Sequence, residues 1–172
     1  MSREDAIAMN VGGLTLDPAT KTPIVILRDD DNKLNLPIWI GLLEATAIAT
    51  ELEGIQMARP MTHDLLRNLI GELGATVESI EISDLRDNTY YAVIHLQVAG
   101  AARTIDSRPS DAISLALRVK SPIYVARRVL EASSVLLQQS DSVAENNLSN
   151  VARDKWSEIL EKMSPDDFKY KM

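Results

Sequence analysis

The chain has 172 residues, no cysteine and a formal net charge of −7 at pH 7. That length supports one main hydrophobic core. The absence of cysteine excludes disulfides, thiolate nucleophiles and cysteine–zinc sites, and the acidic balance excludes a protein that coats nucleic acid by bulk electrostatics. No apolar run approaches the ~20 residues of a membrane span. The start, Met1-Ser2-Arg3-Glu4-Asp5, lacks the basic-then-apolar pattern of a secretory signal, so a cytoplasmic protein without a membrane partner is expected.

The first forty residues read as strands: Ala6 to Leu16 alternates loosely, Pro23 to Leu27 is a short apolar run, and a turn at Asp29–Lys33 leads into Leu34–Ile38. The three aspartates of that turn lack further ligands at calcium-loop spacing, so a solvated turn is expected there. A helix is predicted from about Gly41 to Glu53, with Leu42, Ala45, Ile48, Ala49 and Leu52 at helical spacing, Glu44 in its first turn and Gly54 as its terminator. A second helix should start at Thr62 as N-cap, carry Leu65, Leu66, Leu69, Ile70 and Leu73, and stop at Gly74. Strands follow over Val77–Ile82 and Tyr90–Val98, joined by a turn around Arg86-Asp87-Asn88, and Gly100 turns the chain into another strand ending at Asp106. A third helix begins near Pro109 and is apolar nearly all round, which predicts deep burial. Pro122–Ala126 is a last strand, and Arg127 to about Ser133 is helical. From Ser134 to Asn150 the composition shifts to Ser, Gln, Asn and Asp, as in a linker or weakly ordered arm, before an amphipathic helix over Val151–Met163. The expected division is a domain over 1–132, a linker over 133–150 and a helical tail over 151–172. Net charge is −5 for residues 1–131 and −2 for the remainder, so the tail is not a basic nucleic-acid arm.

Three turns concentrate ionisable side chains: Arg59 to Asp64, Asp84 to Tyr91, and Asp106 to Asp111. Each mixes carboxylate with arginine. Between Arg59 and Arg128 eight arginines stand against the single Lys120, and the planar guanidinium can grip a carboxylate or phosphate with two prongs. His63, beside Asp64 at a helix start, could act as acid or base where exposed N–H groups already favour an anion. Glu44, Asp64, Asp84, Asp87, Asp106 and Asp111 are candidates for holding a hard divalent cation such as Mg²⁺ or Mn²⁺. Each aspartate also has an ordinary use as a cap, a turn former or an arginine's partner. Arg59-Pro60 and Arg108-Pro109 both precede a hydroxyl residue and an aspartate, as a duplicated half-domain or ordinary helix-start chemistry would produce. No serine-hydrolase elbow, dinucleotide fingerprint or phosphate loop is present.

Taken together, Leu36-Pro37-Ile38-Trp39-Ile40-Gly41, Glu44-Ala45, Leu52-Glu53-Gly54, Arg59 to Leu66, Asp84 to Ala92 and Ile105 to Ala112 resemble the bifunctional nuclease domain family, in order and spacing, over about residues 6–132. The resemblance implies an α+β domain with a mixed, twisted sheet and about three helices, a homo-oligomer, and a nuclease acting on DNA and RNA. On the matched motifs, His63, Asp64, Asp84 and Asp87 are the expected catalytic group. Arg59, Arg86 and Arg108 are expected to bind phosphate, and Asp106, Asp111 and Glu44 to bind Mg²⁺ or Mn²⁺. The competing expectation is a non-enzymatic binding or assembly domain in which the Arg–Asp clusters pair with one another and fix the fold. A small-molecule sensor using the same cleft is a third.

Overall fold

The computed structural model describes residues 5–139, so the expected linker beyond Gln139 and the helix at 151–163 lie outside the described residues. Seven strands form one mixed sheet in the order β3-β2-β1-β7-β4-β5-β6. They are β1 (Ala6–Leu16), β2 (Pro23–Arg28), β3 (Asn35–Trp39), β4 (Ala75–Arg86), β5 (Thr89–Val98), β6 (Ala101–Ser107) and β7 (Ile123–Ala126). The helices are α1 (Leu42–Leu52), α2 (Thr62–Glu72), α3 (Pro109–Val119) and α4 (Arg127–Gln139). Every strand pairing is antiparallel except β4 with β7, which makes the α+β architecture a mixed sheet.

Alternation builds the right half of the sheet. Ile80 and Ile82 of β4 and Ala92, Ile94 and Leu96 of β5 are buried on the face that carries the helices. The intervening Glu81, Val93, His95 and Gln97 are half-buried on the opposite face. Two-residue turns close both hairpins. Asp87 and Asn88 join β4 to β5 with φ of 48° and 58°, and Ala99 and Gly100 join β5 to β6 with φ of 49° and 80°, the positive pair that a type I′ turn requires. The Asp29 turn is held by its own carboxylate, which accepts N–H bonds from Lys33 (2.7 Å) and Leu34 (2.8 Å), and its tip is exposed as expected for a solvated turn.

Helix α3 is the buried one, with Ala112, Ile113, Leu115 and Ala116 at most 1% exposed. It packs on β4 and β5 and is flanked by α1 and α2. Several boundaries differ from the periodicity, and β4 runs over Ala75–Arg86 rather than the expected Val77–Ile82. The N-cap of α2 is Met61 rather than Thr62, because Asp64 reaches back to accept the Met61 N–H (2.9 Å) and fixes the cap one residue earlier. Helix α4 runs to Gln139, six residues beyond the expected Ser133: Val129 and Ser133 are buried and anchor it, so the exposed Ser134 does not end it. No helix among the described residues is long and apolar enough to cross a membrane.

Candidate active site

Each of the three helices α1, α2 and α3 carries an acid as its third residue: Glu44, Asp64 and Asp111. A carboxylate there is favoured by the exposed N–H groups and the positive end of the helix dipole. Here the three are also tied to one another. Arg108, the N-cap residue of α3, donates from Nε to Asp111 Oδ2 (2.7 Å), from Nη2 to Asp111 Oδ1 (3.2 Å) and from Nη1 to Glu44 Oε1 (2.8 Å). His63 Nε2 lies 3.0 Å from Asp111 Oδ1. Arg118 donates from Nε to Asp64 Oδ1 (2.7 Å), from Nη1 to Ser114 O (3.0 Å) and from Nη2 to Ala47 O (3.0 Å). These contacts tie the first turns of α1, α2 and α3 through Arg108 and His63, and tie the last turn of α3 to α1 and α2 through Arg118.

The electrostatics follow from that wiring. Burial pushes the Asp111 carboxyl up, but the hydrogen bonds from Arg108 and His63 outweigh it and hold the group below its ordinary value. Burial also pushes Asp64 up, and the Met61 N–H and Arg118 outweigh it in the same way. The Asp111 hydrogen bond raises Arg108 above its already high value. His63 is mostly enclosed, its side chain 12% exposed, whereas the Arg108 side chain is 61% exposed and open to an incoming anion. One oxygen is left over. Glu44 Oε2 is buried with no hydrogen-bond partner, turned back over Gly41, where an added Cβ would run into it and lie 3.2 Å from Cδ.

Five of the ten expected site residues therefore gather: Glu44, His63, Asp64, Arg108 and Asp111. The others do not join them. Asp84 pairs with Arg86 (2.8 Å) and Arg128 (3.8 Å), and Arg86 stacks 4.6 Å from the centre of the Tyr91 ring. Burial raises the Asp84 carboxyl, but the Leu85 N–H and the two arginines hold it low. Asp87 is exposed in the hairpin turn, Asp106 is exposed on the edge strand β6, and Arg59 is exposed in the loop before α2. Arg59 and Arg108 are thus not equivalent, since only Arg108 caps a helix and folds back on its own aspartate.

Arg118 was not among the expected site residues, although its side chain is only 1% exposed. A signal was present: a lone arginine in a helix predicted to be buried nearly all round must find a carboxylate. Arg128, which donates to Ser83 O (2.7 and 3.0 Å), was also missed. Among the described residues no group of three or more His, Cys, Asp or Glu side chains could hold a metal ion. Both carboxylate oxygens of Asp64 and of Asp111 already accept hydrogen bonds. In this arrangement the residues do not fit Mg²⁺ or Mn²⁺ held by protein carboxylates alone.

Residues 25–138, which contain every one of these side chains, match the bifunctional nuclease domain. The chain belongs to that family. An uncharacterized protein of Mycobacterium tuberculosis is 38% identical over 162 residues, covering 94% of this chain and 97% of its own length. Bifunctional nuclease 1 of Arabidopsis thaliana is 26% identical over 136 residues, which are 77% of this chain and 42% of the plant protein. The bifunctional nuclease of Oryza minuta is 29% identical over 116 residues, 66% of this chain and 35% of its own. The bifunctional nuclease domain here thus forms most of the chain, whereas in the plant proteins the matched part is less than half.

Proposed function

We propose that the chain is a nuclease that hydrolyses phosphodiester bonds of DNA or RNA at the cluster of Glu44, His63, Arg108 and Asp111. The observation that carries the reading is the His63–Asp111 pair standing beside a solvent-open arginine, in a member of a nuclease-named family. Asp111 orients the imidazole, and His63 takes a proton from the attacking water as its oxygen bonds to phosphorus and the P–O bond to the leaving sugar oxygen breaks, with solvent protonating that oxygen. Arg108 offsets charge on the phosphate while its Glu44 and Asp111 contacts keep it in place. Arg86, with Asp84 and Asp87 near the β4–β5 turn, serves as a separate contact for the polymer away from the reacting phosphate. Nucleic acid is then a transient partner, reached locally in spite of the acidic net charge, and a homo-oligomer in the cytoplasm is part of the same reading.

A second reading has its own support. The Arg–Asp pairs satisfy one another, as they would in a binding or assembly domain whose charges fix geometry. One assay separates the two. Purified full-length protein is incubated with single-stranded DNA and RNA, with Mg²⁺, with Mn²⁺ and with EDTA, beside a His63→Ala variant. Cleavage that the variant loses at unchanged far-UV circular dichroism supports the nuclease, and the EDTA arm decides the metal requirement. Equal cleavage by both proteins, or none by either, removes the His63-centred mechanism and leaves the assembly reading.

A further inference from the structure

Helix α2 is an amphipathic helix mounted the wrong way out for a monomer. The residues it turns toward the domain are His63, Asp64 and Ile70, the first two engaged with Asp111 and Arg118 of α3. Its leucines are left outside: Leu65, Leu66, Leu69 and Leu73 are 53%, 37%, 49% and 77% exposed, and α2 contains no buried residue. At 3.6 residues per turn, Leu65, Leu69 and Leu73 lie within about 80° of one another and away from His63 and Asp64. Scattered exposed leucines need no explanation, but a continuous stripe on one helix does.

We propose that this stripe is a self-association surface, covered by α2 of a second copy packed antiparallel about a twofold axis through Leu69. It gives the homo-oligomer of the proposed function its surface, and it is independent of the catalytic mechanism proposed there. Three observations favour a second copy over another occupant. The stripe is uncharged and nearly symmetric about Leu69, so a twofold sets Leu65 against the second copy's Leu73 and Leu69 against itself, the self-complementarity an isologous contact requires. Antiparallel packing also opposes the two helix dipoles and sets Glu72, near the negative end of one helix, beside the first half of the other. A stable interface buries about 800 Å² per partner, to which exposed apolar residues outside the stripe would add. Ile55 and Met57, in the segment leading to α2, are 39% and 57% exposed. Ile105 of edge strand β6 is 50% exposed, and its register with the buried Ile94 places it on the helical face of the sheet.

The chain has no cysteine, so Leu69→Cys tests the axis directly. Under mild oxidation this full-length variant should form a disulfide-linked dimer, and a Glu72→Cys variant should cross-link far less. Sedimentation equilibrium of the wild type should give a dimer. The double variant Leu69→Glu, Leu73→Glu should weaken it about 100-fold or more, as the loss of two central apolar anchors does, with far-UV circular dichroism unchanged because both side chains are already exposed. A wild type that stays monomeric overturns the proposal, including the case where the stripe is covered by the chain's own residues beyond 139. So does a dimer that survives the double variant, or one in which Leu69→Cys fails to cross-link.

Discussion

Removing the Asp64 carboxylate tests whether the Arg118 contact is a structural lock. Arg118 is enclosed, with its side chain 1% exposed, while Asp64 is 22% exposed. The Asp64→Ala variant leaves a guanidinium inside the helical layer with its Nη1 and Nη2 bonds intact and its Nε–H unanswered. Breaking a buried pair from one side costs about 3–5 kcal/mol, and losing a helix cap adds about 1 kcal/mol. Water reaching the Asp64 side recovers part of this, so a loss of about 3 kcal/mol is expected, roughly 10 °C in Tm for a domain of this size. Urea unfolding followed by far-UV circular dichroism measures it. Adding Arg118→Met to Asp64→Ala should recover at least half of the loss, because an apolar side chain removes the stranded charge. The Ala47 and Ser114 carbonyls keep their helical N–H partners. If the double variant is as unstable as Asp64→Ala, the cost does not come from a stranded charge and the reasoning fails. The same argument makes Asp64 a poor place to test catalysis, since a variant there loses activity by losing its fold.

The remaining predictions concern acid stability and two glycines. Asp64 and Asp111 are both held below the ordinary carboxylate value. Their contribution to stability is therefore present above the unfolded value near ~3.9 and lost as pH falls through the depressed folded values. Unfolding free energy from urea melts should stay level between about pH 7 and 5 and fall steeply below about pH 4, and an Asp64→Asn variant should show a shallower fall; a parallel slope in that variant would contradict the assignment. Gly41→Ala drives a methyl into the Glu44 carboxylate and should destabilise by about 1–2 kcal/mol, whereas Gly71→Ala, which meets nothing within 4 Å on α2, should stabilise by about 0.5–1 kcal/mol. Thermal melts of the two variants in parallel would show opposite signs.

Local chemistry was readable where a residue's own neighbours decide its state. The alternation of Tyr90–Val98 gave the buried face of β5, and Gly54 and Gly74, at φ of 65° and 68°, end α1 and α2 where helix-stop chemistry put them. What periodicity cannot encode is direction. Leu65, Leu66, Leu69 and Leu73 announce an apolar helical face, yet nothing in their spacing says that it points away from the core. Nor can spacing say which charged turns meet: His63 and Asp111 are 48 residues apart, Glu44 and Arg108 are 64 apart, and the sheet between them sets their approach. Asp84, by contrast, found its partner two residues away in Arg86. The three turns share the same composition, but only two of them share a site.

That difference turns on one position in the helix. An acid at the third residue is ordinary cap chemistry, which is why Glu44, Asp64 and Asp111 could each be read as a local stabiliser. The structure separates them by what lies opposite. Asp64 has both oxygens answered, one by Arg118 and one by the Met61 N–H, and is closed. Asp111 has both oxygens answered too, but by Arg108, whose side chain is open to solvent, and by His63, a group that can exchange a proton. Glu44 keeps one buried oxygen unanswered next to that same arginine. An unpaired buried acceptor lowers stability, so this carboxylate oxygen is a destabilising feature of the cluster. At the other junction the Asp64 carboxylate is fully answered, and the unpaired buried atom is the Ser114 hydroxyl beside Arg118, a neutral group rather than a carboxylate. On the proposed function, stability and chemistry divide along α3, with the Asp64–Arg118 lock at its last turn and the His63–Asp111–Arg108 cluster at its first.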